Sequence, residues 1–165
     1  DEVFLTRRGK SLFREHPYRN EVLSRIHRFR STNEKGLLAL AKDMARLTAD
    51  SIDIAALQEI AAPPKGEKWG SLKSLEKVLA TVCAPEEARR ALTPLVGTYQ
   101  LRLADAHLPG SELAEAMKLA GLDSSSPALH QGQALIANCA SVAMNITTML
   151  ECLTKSENDK GDKNG

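Results

Sequence analysis

The sequence has little of what usually announces a function. Only six of its 165 residues are aromatic. Lysine and arginine number 22 against 21 aspartates and glutamates, so no global charge of one sign exists. That excludes a binder steered to nucleic acid by its overall field. The three cysteines, Cys83, Cys139 and Cys152, are odd in number and show no Cys-x-x-Cys spacing. No disulfide framework or zinc-ribbon pattern follows from them. On one helix, Cys139 and Cys152 would stand about 20 Å apart, beyond disulfide reach. They read as buried thiols of a reducing compartment, which predicts a cytoplasmic location.

Familiar catalytic signatures are missing too. There is no phosphate-binding glycine loop, no His-Glu-x-x-His and no nucleophile elbow. The four histidines lie far apart at 16, 27, 107 and 130, so neither a metal site nor a cofactor is expected. Strand signals are nearly absent; only Val3–Leu5 has a pattern that could pair. No repeat of fixed period occurs. The chain opens Asp1-Glu2-Val3-Phe4 like the interior of an element, which predicts further protein upstream.

What is present is apolar mass with helical spacing. The 42% hydrophobic content can offset the entropy of ordering. Thr32 or Asn33 can cap a helix bearing Leu37, Leu40, Ala41, Met44 and Thr48. Asp53 can start a short one with Ile54, Leu57 and Ile60. Ala62-Pro63-Pro64-Lys65-Gly66 reads as a loop, and Trp69 beyond it as a staple to the core. Ser71 opens a helix with Leu72, Leu75, Leu79 and Val82 at three- and four-residue steps. Pro85 and Pro94 both suit a first helical position, the second behind the cap Thr93. The helix from Thr93 should bury Val96, Tyr99, Leu103 and Ala106, and Pro109-Gly110 should stop it. Ser111 then caps a helix ending near Gly121, with Glu112 and Glu115 in its first turn. The expected fold is an all-α bundle of six to eight helices. Its divisions are a leader over 1–30, a bundle over 31–154 and a frayed tail over 155–165.

The leader differs from the rest. Arg7, Arg8, Lys10, Arg14, Arg19, Arg25, Arg28 and Arg30 face only four acids, and four of the six aromatics lie here. Asn20 can cap a helix running to Arg30. These bases could contact phosphates while Phe13 or Tyr18 stacks on a base. Otherwise the segment is a link whose aromatics pack on the bundle or on an upstream domain.

Ser126-Pro127 opens the longest helix. From Pro127 to Leu150, 24 residues carry no Asp, Glu, Lys or Arg. That is long enough to span a bilayer, but Gln131, Gln133, Asn138 and Asn145 argue against a membrane. Leu135, Cys139, Val142, Ile146, Met149 and Leu153 form one stripe. Ile136, Ala140, Ala143, Thr147 and Leu150 form a second beside it. Two stripes predict a helix buried by several neighbours, or one lending part of that face to a dimer seam.

One short constellation carries chemistry: Leu101-Arg102-Leu103-Ala104-Asp105-Ala106-His107. Arginine, four residues, then histidine resembles the ribonuclease signature of HEPN (higher eukaryotes and prokaryotes nucleotide-binding) domains, which are small helical bundles that often dimerise. The resemblance implies a metal-independent endoribonuclease acting on RNA as a dimer. Arg102 would stabilise charge on the phosphate and His107 would transfer protons. A plainer reading pairs Arg102 with Asp105 at i+3 and sets His107 against the C-terminal helix dipole.

Three expectations follow. The first is a regulatory or association module of a larger intracellular, bacterial-type protein. It would act through an apolar helix face on a second copy or a partner helical domain. The others are the endoribonuclease and an accessory nucleic-acid-contacting domain using residues 7–30.

Overall fold

A computed structural model describes the backbone of residues 1–26, 31–107 and 110–161. It describes their side chains except at 3, 7, 25–26, 104–107 and 152–161. Eight α-helices and one 3-10 turn make up the regular structure among the described residues, so the fold is all-α as expected. The helices are α1 (Glu2–Arg8), α2 (Arg19–Ile26), α3 (Glu34–Leu47), α4 (Ile54–Gln58), α5 (Ser71–Leu79), α6 (Pro85–His107), α7 (Gly110–Leu119) and α8 (Ala128–Gly161). The 3-10 turn, Ala49–Ser51, follows α3.

The chain divides into two compact units, and neither is a continuous segment. The first holds Asp1–Arg14, Ile52–Leu92 and Ala143–Gly165. The second holds Glu15–Ser51 and Thr93–Val142. The basic leader is therefore shared between both.

In the first unit the Asp1 carboxylate organises the turn after α1. It accepts from the Leu12 amide at 2.7 Å and from the Ser11 hydroxyl at 2.5 Å. Val3–Leu5 is helical, correcting the strand expectation. The only bridge among the described residues is an isolated antiparallel one between Phe13 and Ile52, beside an Asp53 N–H bond to the Leu12 carbonyl. Phe4 and Leu12 are buried, so the leader packs into the fold. Asp53 caps α4 as its sequence position suggests, accepting from the Ala55 and Ala56 amides. Helix α4 packs on α5, whose Leu75, Val78 and Leu79 are fully buried. Helix α5 ends at Leu79, short of Val82. Trp69 is half-buried, donates to Glu67 at 2.8 Å and carries Lys77 over its ring at 5.6 Å.

In the second unit α2 packs on α3. Helix α2 begins at Arg19, one residue before the expected cap Asn20. The turn before the helix is held by His16, whose carbonyl accepts from Arg19 N–H at 2.9 Å and whose Nδ1 accepts from Tyr18 N–H at 3.3 Å. The end expected at Arg30 lies outside the described residues. Helix α3 starts at the Asn33 cap, which accepts from the Gly36 amide at 2.9 Å. Its Leu37, Ala41, Met44 and Ala45 face inward.

Two expectations for α6 are corrected. Pro94 does not start a helix, because α6 runs through it. A proline there removes the bond that the Arg90 carbonyl would accept. The buried face is also rotated. Leu95, Thr98 and Leu101 are buried, whereas Leu103 is half exposed and Val96 and Tyr99 are half-buried. Ala106 lies outside the described side chains.

The cause of the rotation is Gly97. A methyl group there would sit 2.1 Å from the Ala120 nitrogen and 2.7 Å from the Ala116 carbonyl oxygen. The backbones of α6 and α7 therefore touch at this glycine, which turns its neighbours Thr98 and Leu101 inward. The approach also requires α7 to end at the right height. Helix α7 begins at Gly110, so Ser111 lies in its first turn and is not its cap. It closes where Gly121, at φ 72°, lets its own N–H reach Lys118 O and the Leu122 N–H reach Met117 O. Those two bonds satisfy carbonyls that a helix end leaves bare.

Polar side chains of α8 finish the same corner. Asn138 donates from Nδ2 to Ala120 O at 2.9 Å. Gln131, buried, donates to Asp123 O at 3.0 Å and Ser126 O at 2.8 Å. Ahead of the helix, hydrogen bonds from Ser125 and Ser126 hold the Asp123 carboxyl below its ordinary range. Ser31, fully buried, donates to Ala128 O at 2.7 Å.

Gly97→Ala tests the close approach. It should destabilise the protein by about 3 kcal/mol, since backbone atoms cannot yield as a flexible side chain would. Gly110→Ala, with open space around it, should be neutral or stabilising by up to about 1 kcal/mol. Urea unfolding of both variants checks the pair.

Candidate functional site

Arg102 stands on α6 in the second unit and reaches a partner on another element. Its Nη1 donates to both carboxylate oxygens of Asp50, from the 3-10 turn after α3. The guanidinium also lies over the Tyr99 ring at 5.3 Å. The side chains of Arg102 and Asp50 are 29% and 18% exposed. A charge pair this sheltered anchors the turn to the helix more firmly than a surface pair would. The partner considered from sequence, Asp105, has a side chain outside the described residues. So has His107, although the backbone is helical through it. The structure thus gives Arg102 a firm partner in Asp50.

The turn explains why Asp50 was invisible in the sequence. Asp50 lies 52 positions before Arg102, and no local spacing links them. Ser51 beside it is buried and donates to Arg46 O, and Thr48 donates to Met44 O at 2.7 Å. These bonds hold the turn in one shape after α3 and fix the carboxylate.

Helix α8 was expected to present an apolar stripe. The chain itself buries Leu135, Cys139, Val142 and Ile146, at 0 to 8% exposure. Met149 is half-buried, and the side chain of Leu153 lies outside the described residues. The second stripe does not accompany the first, which corrects the expectation of a helix enclosed on a broad face. Leu150 is buried and Ile136 half-buried, but Ala140, Ala143 and Thr147 are exposed.

The open side of α8 has its own order. Gln133, Ala137, Ala140, Met144, Thr147 and Glu151 are all exposed and recur at steps of four, three, four, three and four. Met144 is 72% exposed. Ala128–Glu151 is long and apolar enough to cross a membrane by length and composition, and 28% of its most apolar window is buried. Sequence periodicity found the inward stripe. It could not tell the outward one from a second buried face, because neither carries charge before Glu151.

Of the leader's candidate nucleic-acid contacts Arg7, Arg8, Lys10, Arg14, Arg25 and Arg28, three have described side chains, and each of these has a partner within the chain. Lys10 is engaged by Glu59. Arg8 and Arg14 also have partners. The side chains of Arg7 and Arg25, and the whole of Arg28, lie outside the described residues.

Among the described residues, no three of His, Cys, Asp and Glu gather as metal ligands. Burial pushes the thiols of Cys83 and Cys139 up from their ordinary value, and for Cys83 the nearby Glu87 adds to it. Cys139 sits 3.6 Å from the Thr98 hydroxyl. A thiol kept protonated is a weaker nucleophile. No family model, curated protein or solved structure matches the chain.

The Arg102–Asp50 pair makes a direct prediction. Asp50→Asn should destabilise by about 1–2 kcal/mol. In a double-mutant cycle with Arg102→Met, the coupling should be about 1 kcal/mol. Chemical denaturation of the four proteins measures it, and additive effects would show that the pair contributes no coupling.

Proposed function

We propose that this chain is a helical association module that joins a second copy of itself through the open side of α8. The observation that supports this reading is the uncharged exposed row Gln133, Ala137, Ala140, Met144 and Thr147. A quarter of this chain's residues are charged, yet the first 23 positions of its longest helix have none. A helix that faced only water would have no reason to avoid charge there. Heptad-like spacing matches a helix partner, and Ala137 and Ala140 allow close approach while Met144 supplies the bulk.

The mechanism is burial of this row against its symmetry mate. The stripe Leu135, Cys139 and Val142 is buried within the second unit, which leaves the outward row of the helix to a partner. Cys83 and Cys139 are free thiols, which suits an intracellular, cytoplasmic module.

Sedimentation equilibrium up to about 100 µM, where an interface of only about −5.5 kcal/mol associates, should show a dimer. Ala140→Glu should weaken it at least about 10-fold by placing like charges in the seam. A strict monomer at that concentration, or a dimer that Ala140→Glu leaves intact, would end this reading.

The endoribonuclease reading is second, and the part-exposed guanidinium of Arg102 supports it. In a regular helix, five residues set Arg102 and His107 about 140° apart, so two copies would have to complete each other's site. RNA cleavage that both Arg102→Ala and His107→Ala abolish would support it. Cleavage unchanged in both, or none by the unmodified protein, removes it.

A further inference from the structure

The open row of α8 carries one reactive group. Met144 is 72% exposed, more than any other large apolar side chain among the described residues. The other three methionines are sheltered. Met44 is 8% exposed, and Met117 and Met149 are half-buried. One turn either way along the helix, Ala140, Ser141, Thr147 and Thr148 are short and uncharged. Both threonines turn their hydroxyls back to helix carbonyls, Thr147 to Ala143 O at 2.9 Å and Thr148 to Met144 O at 3.3 Å. The Met144 thioether is therefore open to a small molecule in water, and its neighbours on the helix do not cover it.

Exposure decides which thioether meets an oxidant first, because the two atoms must touch. With hydrogen peroxide, the sulfur lone pair attacks one peroxide oxygen. The O–O bond breaks, an S–O bond forms and water leaves. The sulfur loses two electrons and the peroxide gains them. The product, methionine sulfoxide, is polar where the thioether was apolar. A methionine sulfoxide reductase reverses it, two thiols becoming a disulfide while the oxygen leaves as water. The described thiols compete poorly for the same peroxide. Burial raises Cys83 and Cys139 above their ordinary value, so little of the reactive thiolate forms.

We infer that Met144 is a reversible oxidation site that governs whether the α8 row joins a second copy. The inference rests on the association reading above. Met144 is the largest apolar side chain of that row, and as the sulfoxide it brings an unpaired polar oxygen into the seam from each copy. The coupling runs both ways. A closed seam covers the sulfur, so peroxide reaches the separated chain and draws the equilibrium toward it by mass action.

Limited hydrogen peroxide treatment followed by peptide mass mapping should find Met144 oxidised before Met44, Met117 and Met149. Sedimentation equilibrium of the same sample should show the dimer weakened at least about 10-fold, since burying an unpaired polar group is costly. A methionine sulfoxide reductase with a dithiol should restore it. Met144→Leu keeps the apolar bulk without the sulfur, so its dimer should survive the same treatment. An untreated chain that stays monomeric removes the association reading and this switch with it. An untreated dimer that persists once Met144 is fully oxidised removes the switch alone. So does a Met144→Leu dimer that peroxide dissociates equally, because the sensitive group then lies elsewhere. Oxidation of the sheltered methionines ahead of Met144 removes the site.

Discussion

The touch of two backbones at Gly97 sets most of the second unit. With no side chain at that position, α6 approaches α7 until the Ala120 amide and Ala116 carbonyl stand where a methyl group would be. Contact at that range fixes the rotation of α6 as well as its distance. Leu95, Thr98 and Leu101 go inward for this reason, and Arg102 follows at the angle from which it meets Asp50. The end of α7 must then fall beside Gly97, which the left-handed Gly121 arranges. Asn138 closes the remaining carbonyls. One missing side chain thus aligns a helix face, a helix terminus and an ion pair.

The division of α8 into two sides follows different physics. Its inward stripe is selected by volume, and interiors respond to single methylene groups. Its outward row is selected by the avoidance of charge. The two demands share a helix without conflict because they fall on opposite sides of its axis. Two of the four polar residues that break the apolar run have structural work inside the chain: Gln131 and Asn138 satisfy loop and helix-end carbonyls. Gln133 and Asn145 are exposed, and Gln133 belongs to the outward row.

Sequence reading went furthest where the signal was local. Asn33 and Asp53 act as caps because a cap depends on two or three neighbouring amides. The stripe from Leu135 to Ile146 was legible because buried positions on a helix recur at fixed steps. It failed where a distant element decides. Val96, Tyr99 and Leu103 have perfect spacing for a buried face, but Gly97 turned α6 away from it. Pro94 looked like a helix start because proline suits that position, yet α6 carries it in its interior. Asn20 is not a cap because α2 already begins at Arg19, whose amide is taken by the His16 carbonyl. In the candidate site, Arg102 was in view from its spacing to His107. Asp50 was not, since it lies 52 positions before Arg102 in the chain.

The Cys139 thiol has a consequence for measuring the protein. It is buried in the second unit, against Thr98, and burial keeps it protonated. An electrophile in solvent reaches it only when that part of the fold opens. Its labelling rate under native conditions is therefore an intrinsic clock of local opening, with no probe introduced. Cys83, half-buried in the first unit, supplies the second dial, and the two rates read the two units separately.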